Sequence, residues 1–216
     1  MSNTTTLLSR NRQFASNFSA ADLPVLPKMR TVVLTCGDSR VDPAHILGLE
    51  LGDAVVIRNN GGRVTPGVVE EIAALSFIVS QMDGAEPGGF ELVIVQHTEC
   101  GAERFANPDV QRALKEHIGV DVSSVAITDH EQSLRDDVER LRNAPEVPGY
   151  IVVSGFIYDV RHGDIREVIA PAALASAQPV PGEGSQAGHG GNRGSVEAPA
   201  LGCEVPAIDR TKRRLR

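Results

Sequence analysis

Hydrophobic residues gather in short unbroken runs, with longer stretches between them where apolar positions recur every three or four residues. Thr31-Val32-Val33-Leu34-Thr35, Ala54-Val55-Val56-Ile57, Leu92-Val93-Ile94-Val95 and Tyr150-Ile151-Val152-Val153 are such runs. Strands buried on both faces lose the in/out alternation of a half-exposed strand, so these runs predict parallel strands inside a sheet. Between them, Thr65 can cap a helix that has Pro66 at its first position. Val68, Ile72, Leu75, Val79 and Met82 then fall on one helical face, and Gly84 ends it. Asn107-Pro108 opens a second helix that Gly119 closes, and Thr128 with Glu131 fits a capping box for a third that runs to about Asn143. Asp42-Pro43 starts a short helical turn. Residues 3–18 form a weakly amphipathic helix with no place in a compact sheet layer, and a partner chain could cover it. Strands alternating with helices predict an α/β fold with a mostly parallel sheet of four to five strands flanked by helices.

The pattern divides the chain into an N-terminal helical arm (1–30), an α/β body (31–170) and a tail (171–216). The tail is rich in Gly, Pro and Ala and contains no aromatic residue. It cannot bury enough apolar surface to offset its ordering entropy, so disorder is expected there. Its closing run, Arg210-Thr211-Lys212-Arg213-Arg214-Leu215-Arg216, is basic and reads first as a solvated terminus.

Composition narrows the function. A net charge of -7 argues against phosphate-backbone binding, which needs clustered Lys and Arg. No apolar run approaches the ~20 residues that cross a bilayer, so no membrane partner is expected. The first residues lack the apolar core of a signal peptide, and 3 Cys in 216 residues do not make a disulfide framework. Both point to a reducing cytoplasm, where Cys more often binds metal or takes part in catalysis.

Two of those cysteines stand at strand ends. The first strand runs into Cys36-Gly37-Asp38-Ser39-Arg40, and the third into Gln96-His97-Thr98-Glu99-Cys100-Gly101. Functional groups in doubly wound sheets collect at the carboxyl ends of strands, beside the point where strand order reverses. If these strands are neighbours there, Cys36, His97 and Cys100 converge. Two thiolates and an imidazole suit zinc and leave a tetrahedral position open, as in catalytic zinc sites. Cys203 lies in the tail and is a poor fourth ligand. In an extended segment Asp38 and Arg40 point the same way. An Arg fork there can hold the carboxylate ionised and oriented beside the metal.

These motifs resemble the signature of the β-class carbonic anhydrases. Gly52-Asp53-Ala54-Val55-Val56-Ile57-Arg58-Asn59-Asn60-Gly61 resembles the family's GD-x-x-V-x-R-N-A-G segment. Gly155-Phe156-Ile157-Tyr158-Asp159 with Gly163 resembles the closing strand pair of its smaller, archaeal-like members. The similarity spans about residues 10–170. It implies Zn2+ held by Cys36, His97 and Cys100, with Asp38 and Arg40 as the supporting catalytic pair. It implies reversible hydration of carbon dioxide to bicarbonate and a proton through zinc-bound hydroxide, in a homodimer or multiple of dimers. Asn60 stands where the family has Ala, which alters pocket polarity. No residue matches the pocket Gln that plant-like members place after the N-terminal helix. Hydrolases of COS or CS2 resemble the same branch and keep the same ligands, so they are the alternative activity. A non-catalytic zinc or redox module is the alternative from another class and would need a fourth protein ligand or a Cys36–Cys100 disulfide. His45, His117, His130 and His162 are the candidate proton relays.

Overall fold

The β-branched runs form a five-stranded sheet in the order β2-β1-β3-β4-β5. The computed structural model describes residues 2–82 and 89–175, all within one unit spanning Met1–Gln178. In chain order the elements are α1 (Asn3–Ser16), β1 (Thr31–Cys36), α2 (Pro43–Ile46), β2 (Ala54–Asn59), α3 (Pro66–Met82), β3 (Glu91–His97), α4 (Pro108–Ile118), α5 (His130–Arg142), β4 (Val152–Tyr158) and β5 (Ile165–Ala173). Short 3-10 segments at Asn60–Gly62, Gly101–Ala106 and Ser123–Val125 complete them. The first four strands in the sheet are parallel, and β5 runs antiparallel along β4.

The order of the strands places the site. The chain leaves β1 for β2 on one side, then crosses back through α3 to β3 on the other. Strand order therefore reverses between β1 and β3, where the crossover helices leave a crevice at the carboxyl ends. Pairing of Thr35 with Val95 brings the ends of β1 and β3 level, so Cys36 and His97 both sit at that crevice.

Burial follows the apolar pattern in β1 and β3, but the run in β2, expected inside the sheet, lies at its edge with no residue fully buried. All six residues of β1 are buried. Val32, Leu34, Leu92, Ile94, Ile151 and Val153 pack with Ile72 of α3 and with Leu134 and Leu141 of α5 in one core cluster. Each such side chain contributes roughly 1.5–3 kcal/mol. A smaller cluster of Val41, Ala102, Ile127, Cys36 and Cys100 packs under the crevice.

Caps set the helix ends as expected at Asn107, whose side chain accepts from Asp109 N, and at Gly119 in the left-handed conformation. Asp42 caps α2. The third helix differs by one residue from the expected box: Asp129, not Thr128, accepts from Gln132 N at 2.8 Å. The expected stop at Gly84 and the tail from 176 onward, Cys203 included, lie outside the described residues.

The C-terminal strands differ most from expectation. The fourth strand begins at Val152 and continues through Gly155 to Tyr158, rather than covering 150–153. Ile151 is turned back by its backbone bond to Pro148 O, and irregular pairing with β5 on both sides of Gly155 lets the strand pass through it. The lack of a side chain there makes room for Ile169 of β5, which a Cβ would approach at 3.2 Å. β5 has no continuous apolar run because it is a mostly exposed edge strand. Such an edge tolerates Pro171. The strand runs past the 170 boundary, and Leu174 behind it is buried.

One glycine next to the crevice is fixed by geometry. Gly62 has φ +62°, and an added Cβ would lie 2.9 Å from Thr35 C and 3.0 Å from Cys36 N. Both are backbone atoms of a central strand and cannot yield. Gly62→Ala should lower unfolding free energy by about 2–4 kcal/mol in urea titrations. Gly67→Ala, whose nearest neighbour is Thr65 Oγ1 at 3.9 Å, should stay within about 1 kcal/mol of the parent.

Candidate metal centre

β1 ends at Cys36, and its chain turns away through Gly37, whose N–H donates to Asn59 O. β3 ends at His97. The chain then turns sharply through Glu99, a non-glycine residue at φ 56°, to place Cys100 back over the strand end. The two sulfurs lie 3.8 Å apart. The potential donor atoms of Cys36, His97 and Cys100 all lie within 4.8 Å of one another, and all three residues are buried.

The imidazole points a free lone pair at the sulfurs. His97 Nδ1 lies 2.9 Å from Thr98 O, and a carbonyl only accepts, so Nδ1 carries the hydrogen. Nε2 is then the basic nitrogen. Among the described residues it is the one buried side-chain polar atom without a hydrogen-bond partner. Leaving a buried acceptor unsatisfied costs about 1–3 kcal/mol, which a bound cation would recover.

The sulfurs divide one proton between them. The Cys36 thiol is lowered, chiefly by the hydrogen bond from Cys100, with further help from the backbone N–H groups of Asp38 and Gly61; burial opposes this. Gly61 N lies 3.4 Å from Cys36 Sγ. The Cys100 thiol is raised far above its usual range by the neighbouring Cys36 sulfur and by burial. A cation inserted between them would replace the shared proton. Two sulfurs bound to zinc at ~2.3 Å with a tetrahedral angle lie about 3.8 Å apart. The donor chemistry, the sulfur spacing and the orphaned nitrogen therefore fit zinc. No fourth Cys, His, Asp or Glu joins this group among the described residues.

Asp38 is turned to Arg40 rather than to the three donors. Arg40 Nε donates to Asp38 Oδ1 at 3.0 Å, Nη2 to Oδ2 at 2.7 Å, and its backbone N to Oδ1 at 2.9 Å. The Arg40 side chain, then its backbone N–H, holds the Asp38 carboxyl well below the usual carboxylate range. Arg40 itself is fixed by Glu99 O at 3.0 Å, and Glu99 in turn pairs with Arg161. A cavity of about 370 Å3 opens beside Cys36, lined also by Asp38, Asn60, Gly61, Ala102 and Phe105 among others. Asn60 thus faces the pocket, where the family pattern has an apolar Ala.

None of the four candidate relay histidines lines this cavity. His45 and His162 are exposed and pair with Asp42 and Asp159, and His117 is exposed on α4. His130 alone is bonded towards the site, through Glu103.

Sequence reasoning missed two supports. Arg58 spans the loop after β1, donating to Cys36 O, Asp38 O and Asp42 Oδ2 at 3.0, 2.7 and 3.2 Å. Glu103 accepts from Cys100 N at 3.0 Å, making Cys100 the cap of its own 3-10 turn. The three-residue spacing of Cys100 and Glu103 was the available signal, since it is the spacing of a capping box.

The chain is similar to known proteins in sequence and fold. The carbonic anhydrase family model matches residues 31–147. Beta-carbonic anhydrase 1 of Mycobacterium bovis is 30% identical over 163 residues, covering 74% of this chain and 94% of its own. A carbon disulfide hydrolase of Acidithiobacillus thiooxidans is 28% identical over 160 residues, covering 63% and 76%. Among solved structures, carbonic anhydrase from Streptococcus mutans superimposes with a TM-score of 0.65 at 39% identity, covering 78% of this chain and 98% of its own. The chain belongs to the β-carbonic anhydrase family.

Proposed function

We propose that this protein catalyses the reversible hydration of carbon dioxide to bicarbonate and a proton on zinc held by Cys36, His97 and Cys100. The observation that carries this is the buried, partnerless His97 Nε2 facing two sulfurs 3.8 Å apart at the sheet's switch point. Zinc, when bound, supplies a Lewis acid that activates water at neutral pH. The chain's residues do the rest. Thr98 O fixes the His97 tautomer that presents Nε2. Arg40 keeps Asp38 ionised and accepting only, so its carboxylate can orient a hydrogen donor at the rim of the cavity. Ala102 and Phe105 give the cavity an apolar wall suited to a small uncharged gas, and Asn60 adds one polar group.

A second reading, hydrolysis of COS or CS2 at the same residues, is supported by the likeness to carbon disulfide hydrolase. Stopped-flow and gas-phase assays with CO2, COS and CS2 on protein of known zinc content separate the two. CO2 hydration should dominate, and turnover confined to the sulfur gases would overturn the first reading. We place the chain with the smaller, archaeal-like members because β4 and β5 close the sheet and the plant-like pocket Gln has no match. A reducing cytoplasm fits the free thiols of Cys36 and Cys100, and no helix among the described residues is long and apolar enough to cross a membrane.

The working unit we propose is a homodimer or multiple of dimers. α1 has no buried residue, and Leu7, Leu8, Phe14 and Phe18 along and just after it are exposed. β2 is an edge strand with Val56 exposed beside Leu51. A helix with exposed apolar side chains and an open sheet edge both call for cover by a second copy. Light scattering should give an even multiple of the chain mass, and removal of residues 2–18 should halve it or reduce it to the monomer. A monomeric full-length chain would contradict this.

A further inference from the structure

Asp137 is fully buried on α5 and makes no contact with the proposed metal ligands, yet hydrogen bonds lead from it to all three ligand segments. Its carboxylate accepts from Arg63 Nε at 2.7 Å and Nη2 at 3.2 Å, from Arg140 Nη1 at 3.1 Å and from Gln96 Nε2 at 3.4 Å. Arg63 is itself only 2% exposed. Burial pushes the Asp137 carboxyl up while Arg63 opposes it. A buried ion pair of this kind adds little stability over well-packed apolar residues of the same volume. Its bonds reach elsewhere.

Three branches leave the hub. Arg63 and Asn59 exchange bonds, with Arg63 N donating to Asn59 Oδ1 at 2.9 Å and Asn59 Nδ2 to Arg63 O at 2.7 Å. These close the 59–63 loop, which presents Gly61 N to Cys36 Sγ. Gln96 is buried immediately before His97 and is tied to Asp137 through its amide nitrogen. Its oxygen lies 3.2 Å from His130 Nδ1, and His130 Nε2 lies 3.0 Å from Glu103 Oε1; both oxygens only accept, so the two links are made together by an imidazole with a hydrogen on each nitrogen. Glu103 Oε1 is the acceptor of Cys100 N. One carboxylate therefore braces the backbone beside Cys36, His97 and Cys100 from the core side.

We propose that Asp137 is a positioning residue, the hub of a network running from the buried Arg63 and Gln96 out to the partly buried His130 and the exposed Glu103, which holds the three donors at their metal-binding spacing. The proposal rests on Cys36, His97 and Cys100 being the zinc ligands. Outer partners of metal ligands typically carry 10–100-fold in affinity. Asp137→Asn alone would strand the Arg63 charge and could fail to fold. Arg63→Met with Asp137→Leu instead removes both charges together and keeps the volume.

The test measures zinc affinity by chelator competition, the absorption spectrum after cobalt(II) substitution, and the melting temperature of the metal-free protein. The double variant should melt within a few degrees of the parent, bind zinc about 10-fold more weakly, and shift the thiolate-to-cobalt charge-transfer band. A folded double variant with parental zinc affinity and cobalt spectrum would overturn the proposal. If the double variant does not fold, His130→Ala decides through the Cys100 branch: zinc affinity weakened several-fold supports the hub, and parental affinity overturns it. Cys36→Ser with parental zinc affinity would instead remove the ligand reading on which the proposal stands, so the two failures are distinct.

Discussion

Cys36→Ser is expected to yield folded protein with little bound zinc and CO2 hydration near the uncatalysed rate. Two features make Cys36 the largest single lever. Its thiol is held below its usual range by the neighbouring Cys100 thiol, so the pair has one proton to surrender when a cation enters. A serine hydroxyl at the same place stays protonated and loses the soft donor that zinc favours. Zinc affinity should fall on the order of 10^3-fold or more, because one of three protein ligands is lost from a site whose binding free energy is large. Metal analysis after dialysis and stopped-flow hydration read the two effects together. Hydration at the parental rate per chain would remove Cys36 from the centre. Cys36 sits in a small cluster apart from the main core, so the metal-free variant should still melt cooperatively.

Arg40→Ala acts by a different route. It removes two side-chain hydrogen bonds from Asp38 and leaves only the backbone N of residue 40 to hold Oδ1. The carboxylate stays ionised at neutral pH but is no longer oriented by a guanidinium, and it becomes free to swing towards the cation. Turnover should fall about 10–100-fold with zinc content unchanged. Arg40→Lys should recover only part of this, because an ammonium cannot make the forked pair. Unchanged turnover in Arg40→Ala would take the pair out of the mechanism.

The elements that sequence pattern reached are those whose local rule coincides with their place in the fold. β1 and β3 sit inside the sheet, so burial on both sides leaves continuous apolar runs; β2 shows such a run although it lies at the sheet edge and is only partly buried. α4 carries its own punctuation in Asn107 and Gly119. Cys36 and His97 were legible for the same reason, since each ends a strand that the pattern had already located. β4 and β5 were harder because they meet at a sheet edge, where Gly155 is explained only by Ile169 across the pair. Arg58 and the bonds around Asp137 were not legible. Arg63 and Asp137 are 74 residues apart, and neither carries a local sign of the other. Such contacts exist only once the sheet order has brought α5 against β3 and β4.

Zinc K-edge X-ray absorption on the full-length protein tests the central claim most directly. The account predicts two sulfurs at about 2.3 Å, one imidazole nitrogen at about 2.0–2.1 Å and one further light atom that exchanges with added ligand. A shell of one, three or four sulfurs, or four protein donors with no exchangeable position, would contradict it.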